Sequence, residues 1–286
     1  MFDAARMVAS TDGAHVVVYD EPGAGTPILF SHATGFHGRV FAPVAAHLAG
    51  RPRTTFDYRG YGDTAAPRDW PLAWAGFGDD ALAVARDVSA RNAGRRIVAA
   101  GHSMGGAGLV MAALREPSLF AALVVYEPII FPPESRARAR EANPLAEVTR
   151  RRRRHFADYA AALANFAAKP PLNSLHPAAL DAYVRYGFAQ RDDGVHLKCD
   201  PEFEAQTYEM GVMHDTWQRL GEMKVPTHVI AGAHAEMSPA AIAPRIADLL
   251  GRATFVEWSD LGHFGPLEDP ARFAKLIAEV AAGVGD

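Results

Sequence analysis

A single cysteine, Cys199, stands among 286 residues, so no internal disulfide is available to the fold. No stretch approaches the roughly 18–20 unbroken apolar residues of a membrane-spanning helix. The opening, Met1 to Ser10, has neither the basic n-region nor the apolar h-region of a secretory signal. These absences together lead to the expectation of a soluble, cytoplasmic protein. An excess of one charge is missing too: 29 Lys and Arg face 33 Asp and Glu, a net charge of −4. Such a balance gives no electrostatic reason to hold nucleic acid or an anionic membrane, and leaves a small molecule as the expected partner. Oligomeric state is not legible in the sequence.

What is present is an ordinary globular composition, 49% apolar and 22% charged, ample for a large buried core. Short apolar or β-branched runs, Ala14–Tyr19 and Pro27–Ser31, flank the turn-forming Glu21 to Gly25 and read as strands. Further strands are expected at Arg53–Asp57, Ile97–Ala100, Leu123–Tyr126, Thr227–Ala231 and Thr254–Trp258, with Ala-rich helical segments such as Asp79–Ala93 between them. Alternating strands and helices imply an α/β fold with a mostly parallel sheet, and its ligand site lies off the carboxyl ends of the strands. From about Pro132 to Met223 the alternation stops. That stretch has helical spacing and reads as a cap, dividing the chain into core (1–131), helical cap insertion (132–223) and core again (224–286).

The chemistry concentrates at three strand ends. Gly101-His102-Ser103-Met104-Gly105 follows the Ile97 strand and precedes the helical run Ala107–Arg115. In that context Gly-x-Ser-x-Gly is a nucleophile elbow: the tight turn exposes the serine, and small residues avoid the collisions that Cβ atoms would make. The Met104 amide, at the start of the helix, can donate to a developing oxyanion.

These residues resemble the α/β-hydrolase superfamily over nearly the whole core. On that resemblance, His32-Ala33-Thr34 corresponds to the family's His-Gly-x oxyanion segment, with Ala33 in place of the usual glycine. It implies that Thr34 supplies the second oxyanion-hole amide. Asp57 to Thr64 is similar to the family's Asp-x-Arg-Gly-x-Gly-x-Ser segment, read as scaffold in which Asp57 and Arg59 fix loops. Leu261 to Pro270 resembles the histidine loop, implying His263 as general base. The third member of the catalytic triad has two candidates. The family's usual acid position, three residues past Gly232, is Ala235; Glu236 stands one place later. Glu127, 24 positions beyond Ser103, resembles the acid of the haloalkane dehalogenase branch and is preferred.

The implied activity is serine hydrolysis of a small ester-like substrate through an acyl-enzyme on Ser103. Carbon–carbon bond hydrolase, lactonase, thioesterase, perhydrolase and acyltransferase chemistries share the same parts, as does the fold of a non-catalytic ligand-binding homologue. Phe36, Tyr126, Tyr208, Met210, Met213, His214 and Trp217 are candidate pocket residues. No cofactor or metal is expected: neither His228, His234 and Glu236 nor His32 and His37 shows a recognised ligand spacing. The run Arg150 to Arg154 lacks aromatic interleaving and has acidic neighbours, so it reads as a solvated cap helix.

Overall fold

The structure is a computed structural model and describes residues 2, 4–135, 143–234 and 238–284. Eight strands form the main sheet: β1 (Ala5–Ala9), β2 (His15–Glu21), β3 (Ile28–Ser31), β4 (Arg53–Asp57), β5 (Ile97–His102), β6 (Phe120–Tyr126), β10 (Thr227–Ala231) and β11 (Ala253–Glu257). Their spatial order is β1-β2-β4-β3-β5-β6-β10-β11. β2 runs antiparallel to both of its neighbours, and the strands from β4 to β11 are parallel. This is the α/β-hydrolase architecture that the motifs imply.

Burial follows the two-residue period of a strand. Ile97 and Ala99 of β5, with Leu123 and Val125 of β6, join a core cluster shared with the helices Trp74–Arg91, Met104–Arg115 and Pro239–Leu249. Val98, Ala100, Val124 and Tyr126 point the other way, into a second cluster with Phe41 and with Phe273 and Ile277 of the helix Pro270–Gly283. Central strands buried on both faces explain why β5 and β6 read as continuous apolar runs. The edge strand β11 is different, with Thr254 and Phe255 exposed.

The structure differs from the sequence expectations in two places. β1 is not among the expected strands; its alternating half-burial as an edge strand leaves little apolar signal. The segment between β6 and β10 is also not wholly helical. Besides the helices Pro144–Arg150, Tyr159–Ala167, Pro177–Gly187, Pro201–Met210 and Thr216–Arg219, it contains a three-stranded antiparallel sheet. Its strands are β7 (His155–Phe156), β8 (Phe188–Arg191) and β9 (Gly194–Leu197), each too short to show a period. Among the described residues no helix is long and apolar enough to cross a membrane.

Candidate active site

Ser103 ends β5 in a conformation that L-residues seldom adopt, φ 56° and ψ −117°. Such strain costs of order 1–3 kcal/mol and persists where the surroundings over-determine it. Here they do. The Ser103 amide donates to Tyr126 O at 2.9 Å, and its carbonyl accepts from Ala107 N at 3.1 Å and Ile129 N at 3.2 Å. A Cβ at Gly101 would lie 2.8 Å from the Gly105 carbonyl, and one at Gly105 would lie 2.2 Å from Ser31 O. The second contact draws the helix start against the end of β3, so Thr34 and Met104 come from adjoining strand ends. Among the described residues, neither the Thr34 nor the Met104 amide donates to a backbone carbonyl in a turn or loop.

The β3 loop is braced from beneath. His32 is fully buried, accepts from Tyr58 N at 3.0 Å through Nε2, and donates to Ala33 O at 2.9 Å through Nδ1. Burial holds its pKa down at about 4, against an opposing pull from Asp57, so the ring is neutral. Asp57 takes Gly38 N at 2.7 Å and Asp63 N at 2.8 Å, while Arg59 pairs with Asp80 at 2.7 Å with both side chains inaccessible. These contacts give Asp57 and Arg59 loop partners rather than a place beside Ser103.

His263 lies in the loop after β11, its ring one-third exposed. Its Nδ1 is 2.5 Å from Glu127 Oε2. A carboxylate only accepts, so the proton of the neutral imidazole sits on Nδ1 and the Nε2 lone pair is left free. Glu127, at the end of β6, is 1% exposed and has φ 43°, a second strained residue. Its other oxygen accepts from Gly232 N at 2.8 Å. Glu236 lies outside the described residues.

The histidine loop hangs from neighbouring strands. His102 Nε2 donates to His263 O at 2.7 Å, Tyr126 Oη donates to Gly262 O at 2.6 Å, and Glu268 accepts from Gly262 N at 2.9 Å. Burial, then the neighbouring His263, push the His102 pKa well down, so it makes its bond as a neutral Nε2–H donor. Tyr126 is therefore not a pocket residue: its ring is wholly buried and its hydroxyl anchors the loop. His102, absent from the candidate residues, is visible in the sequence as the variable residue of the elbow motif. Its role is not, because the partner is a backbone carbonyl 161 positions away.

Phe36 packs between His102, Tyr183 and Phe264 with ring centroids 5.2–6.4 Å apart. The helix Pro201–Met210 brings Tyr208, half-buried, to the same side as Glu204, while Met210 packs on the first core cluster. Met213 is half-buried and donates its amide to Met210 O at 3.0 Å. His214 stacks on Trp74 and its Nε2 donates to Ile129 O at 3.0 Å, two residues past Glu127. Trp217 faces the Arg245 guanidinium, 4.9 Å from the ring.

The arginine run is largely paired within the insertion. Arg150 meets Glu202 and Glu209, and Arg154 meets Asp200. Arg152 meets the buried Glu204 at 2.5 Å and donates to Tyr183 Oη. Burial raises the Glu204 pKa, with Arg152 opposing. Glu204 Oε1 sits 2.5 Å from where a Cβ at Gly35 would be, and Arg152 Nη1 3.8 Å from it. An ion pair from the insertion thus rests on the residue after Thr34, whose φ of +80° suits only glycine.

The sequence profile of the alpha/beta hydrolase family matches residues 28–276, and the chain belongs to that family. No curated protein matches the sequence. Among solved structures, the chain is similar to E-2-(acetamidomethylene)succinate hydrolase, with a TM-score of 0.80 and 21% identity over 98% of this chain and 99% of that one. It is also similar to a malate-bound thermophilic esterase from Thermogutta terrifontis (TM-score 0.72, 20% identity, covering 99% and 100%). A third is an N-formylmaleamic acid deformylase from Pseudomonas putida (TM-score 0.70, 16% identity, covering 95% and 99%).

Proposed function

We propose that the chain is a serine hydrolase cleaving a small ester-like substrate. In this reading the Ser103 hydroxyl attacks the carbonyl carbon while His263 Nε2 takes its proton. Glu127 keeps the imidazole in the Nδ1–H tautomer and stabilises the imidazolium as it forms. The Met104 and Thr34 amides receive the tetrahedral oxyanion, each contributing about 2.7–4 kcal/mol to lowering the barrier. His263 then returns the proton to the leaving alcohol, an acyl-enzyme remains on Ser103, and water activated by the same histidine releases the acid.

The observation that carries this reading is the 2.5 Å contact between His263 Nδ1 and Glu127, set beside a serine held in a strained strand-to-helix turn. A panel of p-nitrophenyl acyl esters of increasing length tests it. Turnover should be measurable on short and medium chains and fall on long ones, since in this reading the insertion caps the strand ends and bounds the pocket. No turnover on any ester, thioester or lactone would favour a ligand-binding homologue.

The single cysteine and balanced charge support a cytoplasmic setting with a diffusible substrate.

A further inference from the structure

Three side chains of the insertion converge without any part in the chemistry above. β7 and β9 pair antiparallel with His155 opposite His196. The bond from Leu197 N to Arg154 O, 2.8 Å, makes the adjacent pair the hydrogen-bonded one. His155 and His196 therefore face each other at a non-hydrogen-bonded position, where side chains stand closest. Their ring centroids are 4.6 Å apart. The turn from β8 to β9 brings Asp193 to the same spot. His196 Nε2 is 2.7 Å from Asp193 Oδ1, and His155 Nε2 is 2.9 Å from the Asp193 carbonyl and 3.9 Å from Oδ2.

Gly194 makes this approach possible. Its φ is +135°, and a Cβ there would lie 2.8 Å from His155 Nε2 and 2.3 Å from Phe156 O. Both imidazoles thus aim the same nitrogen at one carboxylate, and the three ligand atoms lie within 4.8 Å of one another. The two neighbouring cations have other partners. Arg153 donates to His155 O and lies over the ring of Phe156, which points to the opposite, buried face of β7; Arg154 pairs with Asp200.

We propose that His155, His196 and Asp193 form a surface site for a divalent transition-metal ion of the zinc class. Two imidazoles and a carboxylate are a donor set such ions take, with water completing the shell. Bonds of roughly 2.0–2.2 Å place tetrahedral ligand atoms about 3.3 Å apart. The ligand atoms, now within 4.8 Å of one another, must come to that spacing, with the 2.7 Å contact opening, which rotation of the three partly exposed side chains supplies. Each imidazole binds as its Nδ1–H tautomer, so its proton moves from Nε2 to Nδ1. The ion ties the β8–β9 hairpin to β7. The site escapes sequence inspection because 38 positions separate His155 from Asp193.

The test is calorimetric titration of Zn²⁺ into untagged, chelator-treated protein, with Co²⁺ absorption as a second readout. One equivalent should bind saturably, and Co²⁺ should develop the visible bands of a low-coordinate site. His155→Ala, His196→Ala and Asp193→Asn should each weaken binding by about tenfold or more, as loss of a direct ligand costs at least what loss of its supporting partner does. Their metal-free melting midpoints should stay within a few degrees of the parent's, since His155 and Asp193 are exposed and His196 is partly so. His263→Ala should bind like the parent. The site is refuted if the parent shows no saturable binding, if binding survives in all three variants, or if it disappears with His263→Ala.

Discussion

The ends of β6 and β10 are neighbours in one parallel sheet, yet they do different work. β6 ends in Glu127, a buried carboxylate on a strained backbone that reaches His263 Nδ1. β10 ends in Gly232, whose amide takes the other oxygen of that same carboxylate. The family's usual acid position lies three residues beyond that glycine and holds Ala235. In the proposed triad the histidine needs one carboxylate, and the end of β6 supplies it while the neighbouring strand end holds that carboxylate in place. The strand that gives up the charge can keep a supporting part by supplying a hydrogen-bond donor.

The largest effect concerns the premise that both strand ends serve one nucleophile. Ser103→Ala should lower ester turnover by about 10⁴-fold or more, and a serine-directed phosphonate should label the parent but not the variant. Peptide mapping that finds the label retained would remove the premise. Next comes the comparison itself. Glu127→Gln should lower kcat by as much as ~10⁴-fold, the loss that the corresponding carboxylate-to-amide change causes in a serine protease. Glu236→Gln should change kcat by less than about threefold on the same scale, and the reverse ranking would move the charge to the β10 side.

A third outcome sharpens the contrast by turning to β3, whose loop is braced by a neutral histidine instead of a carboxylate. The folded-state pKa of His32 is lowered to about 4 from an ordinary 6.5. The unfolded chain therefore binds the proton more readily between those values. Stability is full above about pH 6.5 and declines as pH falls toward 4, by up to about 3 kcal/mol for this group. Denaturant midpoints across that pH range measure it, and His32→Asn should flatten the slope. The smallest effect is expected from Tyr126→Phe. Removing the hydroxyl leaves Gly262 O without that partner, at a cost of about 1–3 kcal/mol and a melting midpoint lower by several degrees. An unchanged midpoint would show that the histidine loop does not depend on β6 for its shape.

Much of the core is legible in the sequence because each signal is local. The elbow at Ser103, the loop at His263 and the apolar runs of β3 to β6 each declare themselves within about ten residues. Sequence favours Glu127 as the acid but cannot separate it from Glu236. The distinction lies in which carboxylate reaches an imidazole far along the chain; Glu127 lies 2.5 Å from His263 Nδ1, and Glu236 lies outside the described residues. The small sheet β7–β9–β8 escapes notice because strands of two to four residues carry no period, and the anchoring bonds from His102 and Tyr126 end on backbone carbonyls.

The edge strand β11 delivers the chain to His263, yet the side-chain bonds that hold the His263 loop come from β5, β6 and the helix turn bearing Glu268. Thr254 and Phe255 sit on that strand with their side chains in solvent. The strand that leads into the loop is thus joined to it through backbone, at Leu261 N to Trp258 O, and the side-chain support comes from elsewhere. The exposed middle of β11 is therefore a place to attach a dye, an affinity handle or a solid support without removing a side chain that holds the His263 loop.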